Sequence, residues 1–280
     1  MTPPRTISLL THSTPDDTGA AVRRLLEEAA ARGVEVRVPR PEAEKHGIAE
    51  TDEGEIADAD LVVVLGGDGT ILTALRAMAG RATPVFAFNF GAIGFLSTID
   101  HGGLEDGLER VFAGDFETLL MPALAVETGG QIRHAINDVS FHRRADSRVA
   151  ELAYSVAGEQ LGKVRCDGLV AATPVGSTGY NLANGGPVLA WGVEGFVVSF
   201  IAPHTLTARG LVVATGDHLT VTNLSGREPV DISTDGRTVG SLAPGADVEL
   251  RFEHDRAALA QLPGSTFYGR LREKFGRLAY

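Results

Sequence analysis

Cysteine is almost missing from this chain of 280 residues. Cys166 stands alone, so no disulfide can form within the chain, which fits a reducing compartment. Long apolar runs are missing too: none approaches the ~20 residues that cross a bilayer. The opening Met1-Thr2-Pro3-Pro4-Arg5 lacks the apolar centre of a signal peptide. Together these absences predict a cytoplasmic protein with no membrane partner. Positive charge is in short supply, with 25 Lys and Arg against 36 Asp and Glu, a net charge of −11. Such a balance argues against a nucleic-acid surface. The eight histidines are not paired with Cys or Asp at zinc spacing, so no protein-held metal site is expected. Neither the G-x-x-x-x-G-K-[ST] phosphate loop nor the protein-kinase H-R-D set occurs.

Glycine, by contrast, is abundant: 34 residues, clustered at 66–69, 91–103, 158–195 and 236–245. That texture calls for many tight turns. Apolar residues at 44% and charged residues at 22% leave ample material for a core.

Two textures divide the chain. Up to about residue 115, strand-like runs alternate with helical ones. Residues 5–10 read as a strand. Thr14, Pro15, Asp16 and Asp17 suit a helix start, Val22, Leu25, Leu26 and Ala29 keep helical spacing, and Gly33 ends the helix. Leu61 to Leu65 and Pro84 to Phe88 read as buried strands. Alternation of this kind predicts a parallel sheet with packed helices. After residue 115 short alternating runs take over, at 124–128, 134–142, 152–156, 169–173, 196–201, 219–222 and 248–252, with Gly129-Gly130 and Asp235-Gly236 as turn signals. The expected organisation is therefore an α/β N-terminal domain over 1–115 with a parallel sheet, and a β-rich C-terminal domain over 116–262. The basic, helix-compatible tail at 263–280 returns to the first domain or to an interface. The acidic stretch from Glu50 to Asp60 reads as a solvated loop.

Gly66-Gly67-Asp68-Gly69-Thr70 sits between the strand at 61–65 and a helix over 71–79. Glycines let backbone approach a bulky anion, and a helix start offers free N–H groups and partial positive charge. An acidic side chain in such a cradle repels phosphate. Asp68 therefore reads as a group that acts on a hydroxyl or sits beside a metal. An ordinary strand-to-helix turn also uses Asp and Gly. A second dense stretch runs from Cys166 to Pro187, with Asp167-Gly168, then Thr173-Pro174-Val175-Gly176-Ser177-Thr178-Gly179-Tyr180-Asn181, then Gly185-Gly186-Pro187. Its hydroxyls and small residues suit contact with a polar ligand, and its aromatic can stack on a flat ring. A decorated turn region accounts for the same composition.

Taken in order, these motifs resemble the NAD kinase family over nearly the whole chain. The resemblance adds Asn89-Phe90-Gly91-Ala92-Ile93-Gly94-Phe95-Leu96, similar to that family's N-x-G-x-x-G-F-L, together with Asn137-Asp138 and Pro203-His204. It implies a two-domain fold with the active site between the domains. The implied activity is phosphorylation of the 2′-hydroxyl on the adenosine ribose of NAD, giving NADP. By the same resemblance Asp68 acts on that hydroxyl, and Gly66, Gly67, Gly69 and Thr70 hold the donor phosphates. Asn137 and Asp138 contact a ribose or the base, Asp167 faces the other end of the dinucleotide, and Phe95 packs on adenine. Tyr180 lies against a ring of NAD, with Thr178, Gly179 and Asn181 beside it. ATP or polyphosphate is the implied donor, Mg²⁺ or another divalent cation accompanies ATP, and a homodimer or homotetramer is the implied assembly. The chain departs from the family pattern at Asp138 (usually Glu), Val175, Gly179, Ala183 and Asn184. Two rivals share parts of the pattern: a diacylglycerol-type lipid kinase, whose G-T-x-N-D-like segment is absent here, and a non-catalytic NAD-binding regulator. Cys166 reads as a small buried residue.

Overall fold

The alternating first stretch of the chain becomes a parallel sheet, and the glycine-rich remainder becomes antiparallel. The protein is seen in a computed structural model that describes residues 1–12, 14–51, 59–91 and 94–276. Most of the acidic loop expected at 50–60, Ala92-Ile93 and the last four residues of the tail lie outside the described residues. Two compact units result, Met1–Leu120 with Ala257–Tyr280, and Met121–Arg256.

The first unit contains β1 (Thr6–Thr11), α1 (Pro15–Arg32), β2 (Glu35–Arg37), α2 (Arg40–His46), β3 (Leu61–Gly66), α3 (Asp68–Ala77), β4 (Val85–Asn89), β5 (Ile99–Asp100) and α4 (Leu104–Ala113). Its strands pair in parallel: β4 to β3, β3 to β1, β1 to β2, and β5 on the far side of β4. The residues Leu61 to Leu65 are at most 1% exposed, as expected of a parallel strand covered on both faces. Each such aliphatic side chain contributes roughly 1.5–3 kcal/mol by leaving water. Helix α1 begins as its sequence dictates, with Pro15 in the first turn beside Asp16 and Asp17, and Gly33 ends it at φ +69°. Thr14 occupies the cap position, but its hydroxyl makes no capping bond.

The second unit is a sandwich. It holds β6 (Glu117–Thr128), β7 (Gln131–Ala135), β8 (Asp138–Arg143), β9 (Ala150–Val156), β10 (Glu159–Cys166), β11 (Gly168–Ala172), α5 (Tyr180–Ala183), β12 (Gly195–Ile201), β13 (Leu211–Ala214), β14 (Leu219–Asn223), β15 (Val230–Thr234), β16 (Arg237–Leu242) and β17 (Asp247–Gln261). One antiparallel sheet runs β13-β12-β11-β8-β15-β16, and β10-β9-β14-β17 forms the other layer with the β6–β7 hairpin. Phe141, Leu152, Leu169, Phe196, Leu219 and Leu250 meet in the core between them. Strand β11 is buried on both faces: Leu169 and Ala171 enter that core, while Val170 and Ala172 pack with Leu189 and Val197. The last helix, α6 (Phe267–Phe275), belongs to the first unit and is capped by the Thr266 hydroxyl, which accepts from the Gly269 amide.

Candidate active site

The 66–70 turn is built by close backbone contacts that only glycine permits. A Cβ on Gly91 would lie 2.9 Å from the Gly67 Cα, so the segment after β4 rests directly on the turn after β3. The Phe90 amide donates to the Gly66 carbonyl at 3.1 Å. Gly94, at φ +64°, leaves room for the Asn89 side-chain amide, 2.3 Å from where a Cβ would stand. Asp68 is the first residue of α3, one turn earlier than the helix start read from sequence. Its carboxylate is clamped: Oδ2 accepts from the Phe95 amide and Oδ1 from the Leu96 amide, each at 3.0 Å. A carboxylate offers about four lone-pair sites, so this clamp fixes the group and leaves acceptor capacity.

Gly67, Gly69, Thr70 and Gly91 line an open cleft of about 510 Å³ that also receives His12 and Lys45. The Lys45 ammonium donates to the Thr11 carbonyl and hydroxyl, both at 3.1 Å, and to Glu42 at 2.8 Å. The Thr11 hydroxyl donates in turn to the other Glu42 oxygen at 2.6 Å. Burial holds the neighbouring His46 below the usual imidazole range, with Glu42 opposing that shift.

In the second unit Asn137 and Asp138 sit where β7 gives way to β8. Asp235, at φ +46° in the turn between β15 and β16, accepts from the amides of Ile136, Asn137 and Asp138 at 3.1, 2.7 and 3.1 Å. That carboxylate breaks the strand expected over 134–142 and fixes the pair. Asp138 is 7% exposed. Burial, reinforced by the Asp235 charge, pushes its carboxyl up to about 7. The Thr173-Pro174-Val175-Gly176 turn packs against the same backbone, and a Cβ on Gly176 would fall 2.1 Å from the Asn137 carbonyl oxygen. The Thr173 hydroxyl donates to Ile136 O at 2.6 Å. Ser177 donates to Pro174 O at 2.7 Å, and Thr178 to Val175 O at 3.3 Å.

Tyr180 stacks on His142 with ring centroids 5.6 Å apart and planes 8° from parallel. Partial burial raises its phenol above the usual range, and the charges of Asp138 and Asp167 add to that, which puts all three in one neighbourhood. Asp167 accepts from the Arg143 guanidinium at 2.6 Å. Burial pushes the Cys166 thiol up to about 11, which leaves it unreactive.

Comparison with known proteins accounts for both halves. Residues 17–116 match the model of the ATP-NAD kinase N-terminal domain, and residues 136–261 match that of the ATP-NAD kinase C-terminal domain. The NAD kinase of Gemmatimonas aurantiaca is 34% identical over 265 residues, 92% of this chain and 91% of the relative. That of Citrifermentans bemidjiense is 37% identical over 266 residues, 91% of this chain and 92% of the relative. The chain belongs to the NAD kinase family. Among solved structures, yeast NADH kinase complexed with NADH gives a TM-score of 0.86 at 24% identity, covering 100% of this chain and 91% of that one. An NAD kinase from Archaeoglobus fulgidus in complex with ATP gives 0.76 at 25% identity, covering 97% of each chain.

Within the NAD kinase motifs, two residues stand elsewhere than the resemblance implied. The Phe95 ring is 5% exposed and packs on Phe267 and Phe275, so it is not open to an adenine, and its contribution to the turn is its amide. The reason is hydrophobic: α6 supplies two aromatic faces to a ring that would otherwise meet water. Asn181 is fully buried and donates to Ser177 O and Pro187 O, so it braces the loop from inside. Two residues that shape these sites escaped the sequence reading. Asp235 was visible only as half of an Asp-Gly turn. Lys45 lies on a helix with a single apolar residue, Ala43.

Proposed function

We propose that this NAD kinase family member moves the terminal phosphoryl group of ATP onto the 2′-hydroxyl of the adenosine ribose of NAD, with Asp68 as its catalytic residue. The observation that carries this reading is the clamped carboxylate: an acidic group held rigidly at the mouth of a glycine cradle, where a phosphate grip alone would disfavour it. In this reading Asp68 orients the attacking hydroxyl and accepts its proton. The backbone of Gly66, Gly67, Gly69 and Thr70 holds the donor phosphates, and Lys45 supplies positive charge to them from the cleft wall. A loose phosphoryl-transfer transition state asks mainly for alignment and charge neutralisation, which suits this set. Asn137 and Asp138 hydrogen-bond the dinucleotide, Asp167 faces its other end, Tyr180 meets a ring, and Thr178 and Gly179 allow close approach.

In this reading a divalent cation arrives on the nucleotide, held by phosphate oxygens and water. When bound, it neutralises donor charge. The same reading places the chain in the cytoplasm as a homodimer or homotetramer, which sedimentation equilibrium checks.

The test is direct. Purified protein is given Mg²⁺, NAD⁺ or NADH, and ATP or polyphosphate, and an NADP-specific dehydrogenase reads the product. NADP formation is expected, with Asp68→Asn slower by roughly 10²–10⁴-fold in kcat at unchanged fold. Normal turnover by that variant removes Asp68 from the chemical step.

A further inference from the structure

A single peptide group joins Asp68 to helix α6. The amide of Leu96, which donates to Asp68 Oδ1 at 3.0 Å, belongs to the same planar unit as the carbonyl of Phe95. That carbonyl accepts from the Arg270 guanidinium at 3.3 Å, and the same nitrogen also donates to the Ser97 carbonyl. The order is therefore guanidinium, carbonyl, amide, carboxylate: a cation and an anion at opposite ends of one dipole. Hydrogen bonds in such a chain polarise one another. The Phe95 amide holds the second carboxylate oxygen, and the Phe95 ring is fixed by Phe267 and Phe275 at centroid distances of 6.1 and 5.8 Å. Helix α6 thus grips both the side chain and the carbonyl of residue 95.

We propose that Arg270 is a positioning residue for phosphoryl transfer, setting the direction of the Asp68 carboxylate through the 95–97 backbone. The inference rests on the reading of Asp68 above. Lys cannot replace Arg270 fully, because an ammonium is a point charge, whereas a guanidinium bridges carbonyls in a fixed plane. Burial pulls the Arg270 pKa down, with Glu273, Asp68 and Asp100 opposing it; a guanidinium in a protein stays protonated all the same. Arg270 also lines a cavity of about 640 Å³ bounded by Gly94, Asp100, Thr266 and Lys274. That space is large enough to admit a free guanidinium ion if the side chain is removed.

The experiment uses the whole chain and four variants: Arg270→Ala, Arg270→Lys, Asp68→Asn and the double variant of Asp68→Asn with Arg270→Ala. Arg270→Ala is expected to lose about 10–100-fold in kcat, the size of effect that a small misplacement near the chemistry produces. KM for ATP and for NAD should stay within about twofold, because no substrate contact is lost. Hydrogen exchange at the Phe95 and Leu96 amides should quicken. Millimolar guanidinium should restore part of kcat, and methylammonium should not. On an Asp68→Asn background Arg270→Ala should cost little more, since both act through one group. Wild-type kcat in Arg270→Ala, or a loss that adds in full to that of Asp68→Asn, overturns the proposal. Normal turnover by Asp68→Asn with a slow Arg270→Ala would sink the reading of Asp68 instead, and the proposal with it. Should Arg270→Ala fail to fold, Arg270→Lys decides: a lowered kcat at unchanged KM supports positioning, and a wild-type kcat refutes it.

Discussion

The chain carries two glycine-rich signatures, one in each unit, and their side chains do different jobs. In the 66–70 turn the glycines bring backbone onto backbone, Gly67 against Gly91, and a single carboxylate is held out on two amides. In the 173–187 run several polar side chains serve the protein's own backbone. Thr173, Ser177, Thr178 and Asn181 all bond to main-chain carbonyls of their own neighbourhood. The first motif is a frame around one functional group. The second is a brace that sets the shape of Asn137-Asp138 from beneath, through Gly176 and Thr173. A hydroxyl in a conspicuous motif is thus no guarantee of a ligand contact.

The contrast can be pressed hardest by a reciprocal pair. Asp68→Asn should remove most of kcat and lower stability by only about 1–3 kcal/mol, because its amide nitrogen then faces one of the two N–H groups that the carboxylate accepts from. Ser177→Ala should leave kcat nearly intact while costing about 1–3 kcal/mol of stability, because the Leu189 amide then loses its buried acceptor. Denaturant titration beside steady-state kinetics measures both. If Ser177→Ala instead raises KM for NAD with stability unchanged, the brace is really a contact.

Gly176→Ala comes next. Its methyl would meet the Asn137 carbonyl oxygen at 2.1 Å, backbone that cannot move aside, so a loss of about 3 kcal/mol is expected by thermal unfolding. Asp138 gives a pH test of the same region. Its carboxyl sits at about 7 in the folded chain, against ~3.9 unfolded, so the native state holds the proton more tightly. The contribution of this carboxyl to folding stability is then fully present below ~4 and is lost as pH rises to about 7, something on the order of 3–4 kcal/mol. Asp138→Asn should flatten that decline. The smallest effect is expected at Gly69, where an added Cβ meets nothing within 4 Å. Gly69→Ala should fold as well as the parent, yet its methyl projects at the cleft, so KM for ATP should rise several-fold. A destabilised Gly69→Ala with unchanged KM would show the turn needs glycine for itself.

Much of this was legible in the letters. Continuous apolar runs such as Leu61 to Leu65 announced buried parallel strands, and period-two alternation announced a β-rich second half, though not its two-layer arrangement. Asp68 stood out because a carboxylate contradicts its surroundings. What could not be read were features fixed by distant partners. The alternation from His134 to His142 runs straight through residues 136–137, and the carboxylate that interrupts it comes from Asp235, 98 residues away from Asn137. Helix α2 has almost no apolar face, and its place depends on the Glu42–Lys45–Thr11 bonds. Phe95 was assigned to an adenine by the family resemblance alone, and the α6 rings that cover it lie more than 170 residues on. The two units meet the chain at 120–121 and 256–257, inside β6 and β17, where no linker composition marks a boundary.

The solitary thiol has a practical side. Cys166 is sealed in the sandwich with its proton held firmly, so alkylating probes at neutral pH should pass it by. The native sequence is thereby a ready background for spectroscopy: one cysteine introduced on an exposed position would carry a spin label or fluorophore with no competing site to be mutated away.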